Sequence, residues 1–428
     1  MKKYIYILVL ILLGMNLTAQ SVWNGKREAI TKGSGTENDP YLIENAQNLA
    51  WLVYLINYDY SEWTEGKYFQ LTTDIDLNGS ADNQWIPISA GLSMKGKIKS
   101  FDATLDGNYH KITGLYIDNN SEINNDKSLW FSHEASFFNY LPETSKIINL
   151  YIEGSINIEN KNCAGISASG GNLENCVANV DIESTESAAG IAEFVNSVKN
   201  CFNIGDIKGG NFVGGIVSYR PKNIENCYNV GNITGNDFVG GIAGGVFGSS
   251  HIKNCYNVGT INASETAEFI GGVAGNTTSE NAIENCYYLS TCIENSNELG
   301  EVKTAEFMRS HEFVTLLNNG TNVWKYDEDN SNNGFPVLTH HFPIGVEQYS
   351  EEKYVVFIYP NPSTDYINIS GDIVSYEIFD IWGKNVNSME KVSGKIERVS
   401  VSDFTSGLYF VKCLLENGNV VTRKIIVK

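Results

Sequence analysis

Along the middle of the chain, apolar residues come in short β-branched or aromatic runs cut by Gly, Asn and Ser, without the spacing of an amphipathic helix. The stretch beginning at Phe238, FVGGIAGGVFGSSHIKNCYNVGTI, is one instance. Two marks alternate through this region. Asn-Cys pairs stand at Asn175-Cys176, Asn200-Cys201, Asn226-Cys227, Asn254-Cys255 and Asn285-Cys286, at intervals of 25, 26, 28 and 31 residues, with Asn149-Leu150 in the same slot one interval earlier. Between them come Gly165-Ile166, Gly190-Ile191, Gly215-Ile216, Gly241-Ile242 and Gly272-Val273. A unit this small cannot bury its apolar face alone and must stack on its neighbours, with insertions placed in surface loops. A parallel β-helix meets those conditions, its coils about 4.8 Å apart as strand pairing requires.

The alternating strands at 66–77, 85–89 and 103–117 read as earlier coils of the same solenoid. Ahead of them, Asn45 is placed to N-cap a helix carrying Ala46, Leu49, Ala50, Leu52, Val53 and Ile56 at helical spacing, a plug for the open end. After the repeats, Thr304 and Ser310 are placed to cap two short helices bearing Phe307, Met308, Phe313, Leu316 and Leu317, followed by Trp324. Capping both ends protects strand edges from pairing with other chains. The expected fold is all-β: a right-handed parallel β-helix with helical end caps, followed by a small Ig-like β-sandwich. Its expected segments are a signal peptide (1–19), a linker (20–32), the β-helix (33–300, clearest over 147–290), its C-terminal cap (301–343), a second linker (344–353) and a terminal domain (354–428).

Lys2 and Lys3, the apolar run from Tyr4 to Leu13 and the small residues before position 20 give a leader with cleavage expected after Ala19. No other run is apolar and long enough for a membrane helix. The net charge of -20 becomes -22 once Lys2 and Lys3 leave (-20 minus 2), a field that repels nucleic acid. From Gly345 onward eleven acidic and nine basic residues nearly balance, so the acidity lies in the earlier part. The recurring glycines lack the strand, GxGxxG and helix context of a nucleotide site, so no nucleotide cofactor is expected.

The repeat VGGIAG…IKNCYNVG resembles the GLUG motif found in arrays in bacterial surface proteins, including large secreted peptidases and adhesins. With the flanks GSGTENDPYLI and NNGFPVL the resemblance spans Gly33 to Leu338, and it implies a surface-exposed β-solenoid. From Tyr354 to Lys428 the chain resembles the C-terminal sorting domain of the type IX secretion system of Bacteroidetes. YPNPSTDYINI, YEIFDIWGK, SGLYFVKC and TRKIIVK carry that likeness, with Tyr359, Pro360, Asn361, Pro362, Gly407, Leu408 and Tyr409 as its motif residues. The resemblance implies as partners the outer-membrane translocon and its C-terminal signal peptidase. It also implies a body released or linked to surface lipopolysaccharide, touching the membrane only indirectly.

Eight cysteines in an exported chain invite disulfides, but five fill one repeat slot, where an inward column of thiols suits the geometry better than bridges between parallel neighbours. The asparagines before them are expected to form a hydrogen-bonded ladder. Tyr151, Phe202, Tyr228, Tyr256 and Tyr287, one residue after the inward slot, are expected to face outward, where flat rings could stack on sugars. Asp74 and Asp76 share one strand face, with Asp102 and Asp106 expected about one coil away; paired acids are what a glycosidase or a calcium-dependent lyase uses. Asp327, Asp329, Ser331 and Asn333 near Gly334 suggest a calcium loop, though the glycine is misplaced for an EF-hand, and no other cofactor is indicated. His110 sits beside a turn between strands, and the other five histidines have no Ser, Cys or acidic partner that sequence can place. These features favour a secreted or surface-displayed protein that binds glycans or host matrix without catalysis. A polysaccharide lyase or glycoside hydrolase on the same scaffold, or a passive spacer, are the alternatives.

Overall fold

The structure, a computed structural model, describes residues 20–58, 61–89, 100–119, 134–279, 281–340, 356–359, 363–370, 373–381, 383–389, 396–415 and 420–428. The expected leader and the turn Pro360-Asn361-Pro362 lie outside those residues. The chain forms two compact units, one ending at 344 and the other beginning at 345.

The first unit is a parallel β-solenoid of about eight coils. Its registers bind equivalent positions of successive repeats. One ladder runs Tyr151, Val177, Phe202, Tyr228, Tyr256, Tyr287 and Glu301. A second runs Cys163, Ala188, Val213, Val239 and Ile270, and a third Leu173, Val198, Ile224, Ile252 and Ile283. The repeat marks now have physical roles. Asn149, Asn175, Asn200, Asn226, Asn254 and Asn285 all sit in the left-handed region, φ 52–54°, which asparagine tolerates better than other side chains. Each amide from Asn175 onward donates to the preceding asparagine's Oδ1 at 2.7–3.1 Å, giving the expected ladder. The next residue turns inward: Cys176, Cys201, Cys227, Cys255 and Cys286 are buried, unbridged thiols. The backbone N–H of Cys176 donates to Cys201 Sγ at 3.3 Å, and that of Cys227 to Cys255 Sγ at 3.3 Å.

A second asparagine ladder was not anticipated. Asn203 donates to Asn229, and Asn229 to Asn257, each at 2.8 Å, and all three are fully buried. Together with the close approach of successive backbones it accounts for Gly215 and Gly241, where a Cβ would stand 2.3 Å or 2.2 Å from the next marked glycine's carbonyl oxygen and 2.4 Å or 2.5 Å from the Asn229 or Asn257 side chain.

Helix α1 (Ala46–Tyr58) begins as expected, with the Asn48 N–H donating to Asn45 Oδ1 at 2.8 Å, and it buries Leu49, Leu52, Val53 and Ile56 in the solenoid's core. At the other end α2 (Ala305–Met308) and α3 (His311–Asn318) are N-capped by Thr304 and Ser310. Their Met308, Phe313 and Leu317 join Trp324, Phe335 and Leu338 in a cluster that includes Tyr228, Tyr256 and Tyr287. The cap therefore covers a flank of the last coils as well as following them.

The second unit is small and antiparallel. Phe357–Tyr359, Tyr366–Ser370 and Ile396–Ser400 form one sheet. Asn385–Met389, Ile373–Asp380, Gly407–Leu415 and Val420–Val427 form the other. Ile367, Ile369, Ile378, Val399, Val411 and Ile425 give them a common core, as alternating strands of a sandwich require.

Candidate binding surface

The outward ladder foreseen as a sugar platform is covered. Tyr151, Phe202, Tyr228, Tyr256 and Tyr287 do point out of the coils, yet none is more than 4% exposed. Phe202 stacks on Tyr228 at 4.5 Å and Tyr228 on Tyr256 at 5.1 Å, while Trp324 lies against Tyr228 and Tyr256, and Phe313 against Tyr256 and Tyr287. Asn332 Nδ2 donates to Tyr256 Oη, which donates to the Pro336 carbonyl. Lys111 Nζ sits 4.8 Å above the Tyr151 ring. The expectation of exposed rings is corrected here. Each ring removes roughly 150–250 Å² from water, and for Tyr228, Tyr256 and Tyr287 the cap's apolar residues supply that cover in place of solvent.

The carboxylates Asp74, Asp76, Asp102 and Asp106 are each engaged in hydrogen bonds and do not form one cluster. Asp74 accepts from His110 Nδ1 and from the Lys111 N–H, both at 3.0 Å, and the His110 contact holds its carboxyl below the ordinary range. Asp76 accepts from the Asn78 N–H. Asp76 belongs to the sheet carrying the buried rings, whereas Asp106 lies on a different one. Asp106 accepts from Gln70, the Asn108 N–H and Asn149 Nδ2. Asp102 accepts from Thr144 Oγ1 and lines a shallow depression with Lys67, Thr104 and Lys146.

In the proposed calcium loop, one Asp327 oxygen accepts from the Ser331 N–H and Oγ, and the other from the Asn332 and Gly334 N–H groups, all at 2.8–2.9 Å. All four lone-pair sites of that carboxylate are thus used by the loop itself. Asp329 accepts from the same Ser331 N–H, and the Asn333 carbonyl accepts from Arg309 Nε. No group of three or more His, Cys, Asp or Glu suited to a metal occurs among the described residues.

In the second unit Tyr359 closes the first strand. Gly407, Leu408 and Tyr409 open the central strand Gly407–Leu415, with Tyr409 Oη donating to the Thr405 carbonyl at 2.8 Å.

A different flank displays aromatic rings. Phe212, Phe238 and Phe269 each stand three residues before the glycine mark, in NFVGG, DFVGG and EFIGG, a third repeat signal beside the Asn-Cys and glycine marks. The register stacks them: Phe212 on Phe238 and Phe238 on Phe269, both at 4.4 Å and 25°. Tyr219 packs edge-on against Phe212 at 4.8 Å, and Phe247 reaches Phe212, Phe238 and Tyr219. Gly245 makes room for this, because a Cβ there would be 2.5 Å from the Phe247 ring. These five rings are half-buried, and Phe194, in the Tyr219 slot one coil earlier, is exposed. Phe212 and Phe238 hold left-handed backbone, φ 59° and 51°, which for a bulky residue is strain.

The Phe212 column continues through Ser187 and Asn162, joined by a 2.8 Å hydrogen bond, to Glu134. Burial pushes Glu134 up to about 7 and Glu193 up to about 8, the latter helped by Glu134's charge and opposed by the Ser187 hydroxyl. The flank thus offers rings that can take the apolar face of a sugar and, beside them, carboxyl groups that hold their protons near neutrality. The rings recur from coil to coil in register, an arrangement that suits an extended ligand.

Comparison with known proteins places the second unit first. Residues 357–428 match the family described as secretion system C-terminal sorting domain. A candidate Gly-rich membrane protein of Evansella cellulosilytica is 28% identical over 166 residues, 38% of this chain and 17% of that relative, so the match spans under a fifth of the relative's length. Among solved structures, a candidate immunoglobulin A1 protease from Bacteroides ovatus superposes with a TM-score of 0.52 at 22% identity, covering 73% of this chain and 95% of its own, a likeness of fold alone. The chain therefore carries a type IX sorting tail behind a parallel β-solenoid, the makeup of a secreted or surface-displayed protein.

Proposed function

We propose that the solenoid is a non-catalytic binding module for extended glycans, carried to the cell surface by the sorting tail and used for adhesion. The observation that carries this reading is the half-exposed column Phe212, Phe238 and Phe269, not covered by the cap, with Phe212 and Phe238 on strained backbone. The GLUG-like repeat and the tail support the surface setting. In this reading the leader directs export to the periplasm, and the tail engages the translocon and is then removed. The body is left free or joined to lipopolysaccharide.

A glycan array probed with the full chain and with the F212A/F238A double variant tests it. Binding by the parent, lost in the variant at an unchanged melting temperature, is expected. Equal binding by both would sink the assignment of this surface.

One observation favours a second reading, hydrolysis or lyase chemistry: burial raises both Glu134 and Glu193, and Glu134's charge raises Glu193 further, the condition a general acid needs near neutral pH. Chain cleavage of a polysaccharide, abolished by Glu193→Gln, would move the assignment there.

A further inference from the structure

Three of the non-glycine residues held at positive φ lie on the aromatic flank: Phe212, Phe238 and Arg220, the last at φ 47°. Elsewhere among the described residues that conformation falls mostly to asparagine. Arginine gains nothing locally from left-handed backbone, which costs an L-residue energy at every position, so its direction is being held by the coil around it. The Arg220 N–H donates to the Gly245 carbonyl at 2.9 Å, tying it to the glycine that makes room for Phe247. Its guanidinium lies 5.8 Å from the Tyr219 ring centre, and Tyr219 in turn meets Phe212 and Phe247. Lys222, two residues on, is tied to Glu143 at 2.6 Å, whereas Arg220 is exposed and makes no ion pair with a carboxylate among the described residues.

Resting on the glycan reading above, we propose that this surface selects carboxylate-bearing polysaccharides, with Arg220 pairing with the sugar carboxylate while the rings take the sugar's apolar face. The planar guanidinium presents two parallel donors that match a carboxylate, and beside aromatic rings it works in a less hydrated setting than in open water. The protein's charge of -20 opposes any polyanion at a distance, so recognition has to be local. A chain with one carboxylate per sugar meets that condition better than the denser charge of nucleic acid.

The test measures binding of the full chain to polygalacturonate, alginate and hyaluronate, with the neutral methyl ester of polygalacturonate and poly-L-glutamate alongside. Wild type, Arg220→Gln, Arg220→Lys and F212A/F238A are compared, each with its melting temperature. The expected result is binding to at least one uronate and a loss of about tenfold or more in Arg220→Gln at unchanged melting temperature, with Arg220→Lys between. For polygalacturonate, the ester would bind as weakly as the acid does to the Gln variant. Equal affinity for acid and ester, or for wild type and Arg220→Gln, with loss only in F212A/F238A, would overturn carboxylate selection and leave the aromatic surface standing. Binding to poly-L-glutamate but to no uronate would also overturn it, and no binding to any polysaccharide would overturn both readings.

Discussion

Asn226 does two things at once: it holds φ 54°, and it links Asn200 and Asn254 through its amide. Replacing it with alanine puts a Cβ-bearing residue in left-handed backbone without the amide, and leaves buried partners unsatisfied. The expected loss is about 3–4 kcal/mol, from about 1–2 for the backbone and about 1 for each of the two hydrogen bonds. Glycine relieves the first cost and not the second, so Asn226→Gly should lose about 1–2 kcal/mol less than the alanine variant. Denaturant unfolding of both checks this; equal losses would show that the backbone conformation is not the source. Glu193 gives a pH signature. Its folded value near 8 lies above the ordinary 4.5, so the folded state keeps a proton that the unfolded state releases. Its contribution is complete below about pH 4.5 and fades as pH rises toward 8. Glu193→Gln should therefore gain melting temperature relative to wild type between pH 5 and pH 8.5. A difference independent of pH would refute the burial argument. Glu134, raised to about 7 by the same cause, leaves some of the wild-type slope in the variant.

At the scale of elements, the C-terminal cap is an apolar cover for a ladder the repeats leave open. Phe313 is fully buried between Tyr256, Tyr287 and Phe307, so Phe313→Ala removes contacts to both ladder and cap. A loss of about 3–5 kcal/mol is expected for such a buried ring. Because coils contact mainly their neighbours, the damage should stay local. Amide exchange should quicken in Tyr256–Asn257 and Tyr287–Leu289 while Val177–Ser184 keeps its protection, and Trp324 emission should shift to the red. Uniform loss of protection along the solenoid would instead show that the cap sets the stability of every coil. The helices themselves were legible in advance: Asn45, Thr304 and Ser310 stand where capping chemistry demands, and all three cap helices in the structure. Their destination was not legible, since helical spacing shows which residues seek cover and says nothing of which surface supplies it.

At the scale of the whole molecule, the repeat period, the parallel solenoid and the sorting tail could be read from the chain. Each of them rests on a local rule applied many times over. A left-handed turn position recurs as asparagine, a slot facing the interior recurs as cysteine, and a strand face alternates. Stacking then follows because equivalent residues of equal size must meet. The site was read less well. Asp74 and Asp76 looked like paired acids because strand alternation put both on one face, with Asp106 about one coil away, but which neighbour a side chain meets depends on coil geometry and on distant donors such as His110 for Asp74 and Asn149 for Asp106. Asp327 looked like a cation ligand because composition cannot reveal that four N–H and O–H donors of its own loop already fill it. The sequence by itself determined the kind of fold, the caps and the export tail, all of which depend on period and on contacts between near or equivalent residues. Tertiary structure alone decided which aromatic ladder is covered and which faces solvent, because both ladders set large aromatic rings at the repeat period. Only the path of residues 305–338 over one flank tells them apart.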